Sequence, residues 1–111
     1  MIFSICPNPD GVTVVTIAGE LDVTTTGDLE PALDELAASR APLVEIDLSQ
    51  LRMIDSIGIG LLIGFYKDTR DRGGEMVLRE ASGQPLALFR LVHLDRLMMG
   101  TTPASPGDRL T

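Results

Sequence analysis

The chain has 111 residues, 44% of them hydrophobic and 23% charged, with a formal net charge of −7 from 16 acidic and 9 basic side chains. That length supports one domain with a core large enough to fold without staples. The acidic balance argues against nucleic acid, whose binders present a basic face. One cysteine, Cys6, excludes an internal disulfide, and beside a single histidine it cannot build a common zinc site. No metal and no cofactor are expected. The N-terminus lacks the basic start of a signal peptide, and the apolar run at 57–66 falls far short of the roughly 20 residues that span a bilayer. The expectation is a cytoplasmic protein without membrane insertion.

Residues 2–5 read as an edge strand, and the turn formers from Cys6 to Gly11 as the bend of a hairpin. Val12 to Ala18, almost wholly β-branched, is the clearest strand, ended by Gly19-Glu20-Leu21-Asp22. A helix follows with Leu29, Leu33, Leu36 and Ala37 on one stripe. Pro31 is its awkward residue. A cap at Thr25 would set Pro31 past the first turn, where it removes a hydrogen bond. A cap near Asp28 would set it where its missing N–H costs nothing. Either a late start or a distorted first turn is expected, with the end near Ser39-Arg40.

Leu43 to Leu48 reads as the next strand, and Ser49 to Ile54 as the loop leading to Asp55-Ser56. Asp and Ser are preferred helix N-caps, because a side-chain oxygen can accept from the free N–H groups of the first turn. The helix so started runs from about 57 to 72 and stops at Gly73-Gly74. Its first half is apolar nearly all round and carries Gly58, Gly60 and Gly64. A helical glycine costs about 1 kcal/mol against alanine, so close approach of another backbone is the expected compensation. Enclosure of that end by protein or by a partner is expected with it. Glu75 to Glu80 is a further strand, and Ser82-Gly83-Gln84-Pro85 opens a helix with Leu86, Phe89, Leu91 and Val92 on its apolar side. Arg96 to Met99 reads as a short strand or turn. Residues 100–111 form a polar, proline-bearing tail expected to be disordered, which leaves 1–99 as the domain. Strands alternating with helices after a hairpin imply an α/β fold with a mixed sheet.

Most catalytic readings fail on spacing. Gly58, Gly60 and Gly64 do not match a dinucleotide fingerprint, and no Gly-Lys-Ser/Thr of a phosphate loop occurs. Ser56 has no glycine-flanked elbow, and His93 is the sole histidine. A phospho-aspartate receiver built on Asp22 with Asp47 or Asp55 lacks its lysine, since Lys67 is the only one. What remains is Asp55-Ser56, with a hydroxyl at the positive end of a helix dipole, a place suited to carrying a phosphate.

These residues resemble a known family. Gly19-Glu20-Leu21-Asp22 with Thr25 resembles the opening signature of STAS domains, the anti-sigma factor antagonists. Asp47-Leu48-Ser49 followed by Ile54-Asp55-Ser56-Ile57-Gly58-Ile59-Gly60 resembles their central signature, and Leu86, Phe89, Leu94 and Leu97 fit the closing segment. Ile57 departs from the usual second Ser or Thr, Ile59 from the usual Leu, and Pro31 is unusual. The resemblance implies a mixed sheet of four to five strands with about four helices packed against it. It also implies a binding protein and not an enzyme. Its unphosphorylated form would bind an anti-sigma factor with ATP-dependent serine kinase activity and release sigma factor. Phosphorylation at Ser56 would switch that binding off, with a phosphoserine phosphatase as a further candidate partner. The implied partner-binding residues are Asp22, Asp55, Ser56, Ile57, Gly58 and Gly60. The alternative within the fold is a STAS subunit of a stress-sensing or lipid-transport assembly, without a phospho-switch.

Overall fold

The structure, a computed structural model, describes residues 1–94. The elements run β1 (Ile2–Pro7), β2 (Val12–Leu21), α1 (Thr26–Ala38), β3 (Leu43–Asp47), β4 (Leu51–Ile54), α2 (Ser56–Asp71), β5 (Glu75–Arg79) and α3 (Gly83–Leu91). The sheet has five strands in the order β1-β2-β3-β5, with β4 also paired to β2. β1 and β2 form an antiparallel hairpin, and every other pairing is parallel. The expected mixed α/β architecture is therefore present. Among the described residues there are three helices where about four were expected. The segment 96–99 and the tail 100–111 lie outside the described residues.

Alternation places the core. On β2, β3 and β5 the positions Val15, Ile17, Val44, Ile46, Met76 and Leu78 are sealed, while their neighbours Val14, Thr16, Glu45 and Val77 are half-buried. Side chains on a strand alternate between faces, so one face of the sheet is sealed more completely than the other. Leu29 and Leu33 of α1, Leu62 and Phe65 of α2 and Phe89 of α3 complete the same cluster.

Three boundaries differ from the sequence reading. β1 continues through Cys6 and Pro7, which pair with Val14 and Thr13; a proline is tolerated on an edge strand. The bend is accordingly tighter, with Asn8 N donating to Val12 O at 2.9 Å and Gly11 in the left-handed region at φ 90°.

β2 does not end at Ala18. Gly19, at φ 97°, makes an irregularity, and the register jumps from Leu51 to Met53 as β2 steps from Gly19 to Glu20. The strand thereby leaves β3 and pairs with β4. Ser49 to Ile54 is thus a turn followed by a strand, not a continuous loop.

α1 starts at Thr26 after a Thr25 cap, the early of the two expected starts, so Pro31 lies inside the helix. Its ring leaves the Gly27 carbonyl without the usual donor. α2 begins one residue earlier than expected, at Ser56. It ends where Gly73 N donates to Arg70 O and Gly74 N to Thr69 O, a paired glycine stop.

Candidate functional site

The site forms where β2 and β4 run out together. Leu21 O accepts from Asp55 N at 3.2 Å, extending the parallel ladder by one bond. Ile54, 1% exposed, pins the strand end into the core. Asp55 is extended (φ −110°, ψ −177°), and its carboxylate works twice. Oδ1 accepts from Gly58 N at 2.9 Å, capping α2. Oδ2 accepts from Val23 N at 3.2 Å, holding the β2–α1 loop against the helix start. With both oxygens serving backbone donors, Asp55 is a structural clasp.

Ser56 is the first residue of α2 and is exposed. The first N–H groups of a helix have no partner within it, and the dipole makes that end positive. Gly58 is buried, and a methyl group there would stand 2.6 Å from Leu21 O and 2.8 Å from Ile54 Cγ1. The expected close backbone approach is therefore real at Gly58. It is absent at Gly60 and Gly64, where nothing lies within 4 Å and the helix surface is open. Within this chain the start of α2 presents Ser56, Ile57, Gly60 and Gly64 outward while Gly58, Ile59, Leu62 and Phe65 are buried, so enclosure of the outward side is left to a partner.

Asp22 heads the neighbouring loop. Its Oδ1 accepts from Thr24 N at 2.9 Å and from Thr24 Oγ1 at 2.7 Å. Thr25 Oγ1 accepts from Asp22 N at 2.9 Å and donates to Glu20 O at 2.9 Å. The Thr24 hydroxyl first, then the Thr24 N–H, hold the Asp22 carboxyl below its ordinary value. Thr25 therefore spends its hydroxyl on the loop, not on a helix N–H. Through the Val23–Asp55 bond this hydrogen-bonded loop is held at the head of α2, where Ser56 stands.

Two features escaped the sequence reading. Val23 and Met53, 66% and 49% exposed, join Ile57 at 50% on the three segments that meet at Asp55. Exposed apolar side chains on adjoining segments make this end of the domain a candidate contact surface. The only available signal was an apolar residue inside a polar loop. Beside them, α1 and α2 leave a groove of about 200 Å³. Gly60 and Gly64 line it together with the carboxylates Glu30, Asp34 and Asp68. Among the described residues no cluster of His, Cys, Asp and Glu is placed to hold a metal ion, and no helix is long and apolar enough to cross a membrane.

Comparison with known proteins agrees with this geometry. The family model described as the STAS domain matches residues 6–106. The chain belongs to the STAS domain family. Among STAS proteins it is 30% identical over 84 residues to the anti-sigma-B factor antagonist of Listeria monocytogenes, covering 76% of this chain and 74% of that one. It is 35% identical over 80 residues to the anti-sigma-B factor antagonist of Bacillus subtilis, covering 72% of each. A solved anti-sigma factor antagonist from Mycobacterium paratuberculosis superposes with a TM-score of 0.75 at 28% identity, over 87% of this chain and 81% of that one. The STAS signature residues thus sit where the fold brings the β2–α1 loop and the head of α2 together.

Proposed function

We propose that this chain is an anti-sigma factor antagonist switched by phosphorylation of Ser56. Unphosphorylated, it binds an anti-sigma factor that is also an ATP-dependent serine kinase, and sigma factor is released. Phosphorylated, it lets go, and a phosphoserine phosphatase resets it. The chain acts by binding and performs no catalysis, and the reading implies a cytoplasmic protein.

One observation carries this: an exposed serine at the first position of α2, next to the Asp55 clasp, with exposed Val23, Met53 and Ile57 on the segments that meet at Asp55. Ser56, Ile57 and Gly60 offer the contact surface. Asp22 and Asp55 hold its shape, and buried Gly58 supplies the room that lets α2 lie against Leu21. The acidic groove beside it suits a basic segment of the partner.

A phosphate on Ser56 adds a charge of about −1.5 to −2. The helix N-terminus tolerates that charge, so the fold need not move. A partner surface shaped for a neutral hydroxyl then meets bulk and, beside Asp22 and Asp55, a more acidic face. A loss of about 3 kcal/mol at such a contact weakens binding more than a hundredfold.

The test is mass spectrometry of the chain from its native cells for phosphate on the Ser56 peptide, paired with binding of Ser56→Asp and Ser56→Ala to the anti-sigma factor recovered there. Ser56→Ala should bind and Ser56→Asp should not, both remaining folded. Equal binding by the two variants overturns the proposal.

A further inference from the structure

The functional reading above leaves α3 without a role, yet α3 reaches the strand end from which Asp55 and Ser56 depart. Asp55 N donates to Leu21 O on the β2 side of β4. In a strand the N–H and C=O groups of successive residues face opposite sides, so those of Ile54 face away from β2. No strand lies there among the described residues. The Gln84 side chain fills the place: its Oε1 accepts from Ile54 N at 2.9 Å, and its Nε2 donates to Ile54 O at 2.9 Å. One amide thus satisfies both backbone groups of one residue, the pattern a neighbouring strand would supply.

We propose that Gln84 is a positioning residue for the Ser56 turn, acting through Ile54 to fix the backbone from which the Asp55 clasp and the phospho-acceptor leave. The proposal rests on the function assigned above. Ile54 is gripped on its side chain by the core, on its next residue by β2 and on its own backbone by α3. Gln84 does not touch the reacting hydroxyl. It sets how sharply the turn before it is held, and therefore how much ordering the kinase must supply when it binds Ser56.

Two substitutions separate this from a role in α3 itself. Gln84→Met keeps length and bulk and loses both bonds. Gln84→Glu keeps an acceptor for Ile54 N but sets a carboxylate oxygen against Ile54 O in place of the donor, while the charge itself suits the first turn of α3. Amide hydrogen exchange is followed at Ile54 and at Gly58, whose N–H the Asp55 clasp holds, with Leu33 in α1 as reference. Phosphate uptake is followed with the anti-sigma factor that phosphorylates the unaltered chain.

Gln84→Met should exchange about tenfold faster at Ile54 and measurably faster at Gly58, with Leu33 unchanged. Its kcat/KM for phosphorylation should fall several-fold through a higher KM, and Gln84→Glu, whose carboxylate oxygen would face Ile54 O, should fall at least as far. Unchanged exchange at Ile54 overturns the clamp. Faster Ile54 with unchanged Gly58 and unchanged KM overturns the positioning, and equal acceleration at Leu33 reduces Gln84 to general stability. If the unaltered chain accepts no phosphate, the functional proposal falls, while the Gly58 amide still decides whether Gln84 holds the turn.

Discussion

Gly58→Ala, set beside Gly60→Ala, isolates the close approach that seats α2. Both changes add one methyl group to the same helix, two residues apart. At Gly58 that methyl would meet Leu21 O at 2.6 Å, Ile54 Cγ1 at 2.8 Å and Leu21 Cγ at 3.1 Å. Leu21 O is a backbone acceptor already bound to Asp55 N, so it cannot swing aside without loosening the turn. Overpacking of this kind costs about 1–3 kcal/mol, and the better helix propensity of alanine returns about 1 kcal/mol. With a backbone atom in the way the cost lies toward the upper end, and the net loss is about 1–2 kcal/mol. At Gly60 nothing lies within 4 Å, so only the propensity gain of up to about 1 kcal/mol applies. The two variants should therefore differ by about 1–3 kcal/mol, in opposite directions from the unaltered chain. At about 4–8 °C per kcal/mol for a domain of this size, thermal unfolding followed by circular dichroism would separate their midpoints by about 4 °C or more. A Gly58→Ala protein melting at or above Gly60→Ala would refute the reasoning, because the approach of α2 to Leu21 would then carry no strain.

The clasp and the neighbouring loop give two further expectations. Asp55→Ala loses the α2 cap and the Val23 contact, about 1 kcal/mol each. Asp55→Asn keeps an acceptor for Gly58 N and should cost less in urea unfolding; equal costs would mean the cap contributes nothing. Asp22 is held below its ordinary value of 3.8, and a group depressed on folding stabilises above its unfolded value and loses that stabilisation as pH falls through the folded one. Asp22→Asn should accordingly flatten the acid limb of stability below pH 3.8, measured by urea titrations at stepped pH. An unchanged acid limb would remove Asp22 from the loop's support.

Local chemistry was legible in the sequence because it acts within a turn or two of the chain. The Asp55 cap, the hairpin bend after β1, the β-branched body of β2 and the Gly73-Gly74 stop each depend on neighbours in sequence, and each appears as the residue types imply. The mixed α/β class followed from their order. The β4 strand did not follow, since Leu51 to Ile54 is four residues whose strand character comes only from pairing with β2. The same pairing carried β2 through Gly19, which composition marks as an end.

Tertiary structure also sorted the glycines. Gly58 is required by a carbonyl from another element, while Gly60 and Gly64 face open space. It set α1 to begin at Thr26 despite Pro31, because the hydrogen-bonded loop from Asp22 to Thr25 delivers the chain there. It gave Asp55 its second backbone donor, Val23 N, 32 residues away, and gave Ile54 its partner in Gln84, 30 residues away. No window of sequence contains those contacts. They depend on which segments the fold sets side by side, and that is settled by the burial of Ile54, Leu21 and Phe89 in one core.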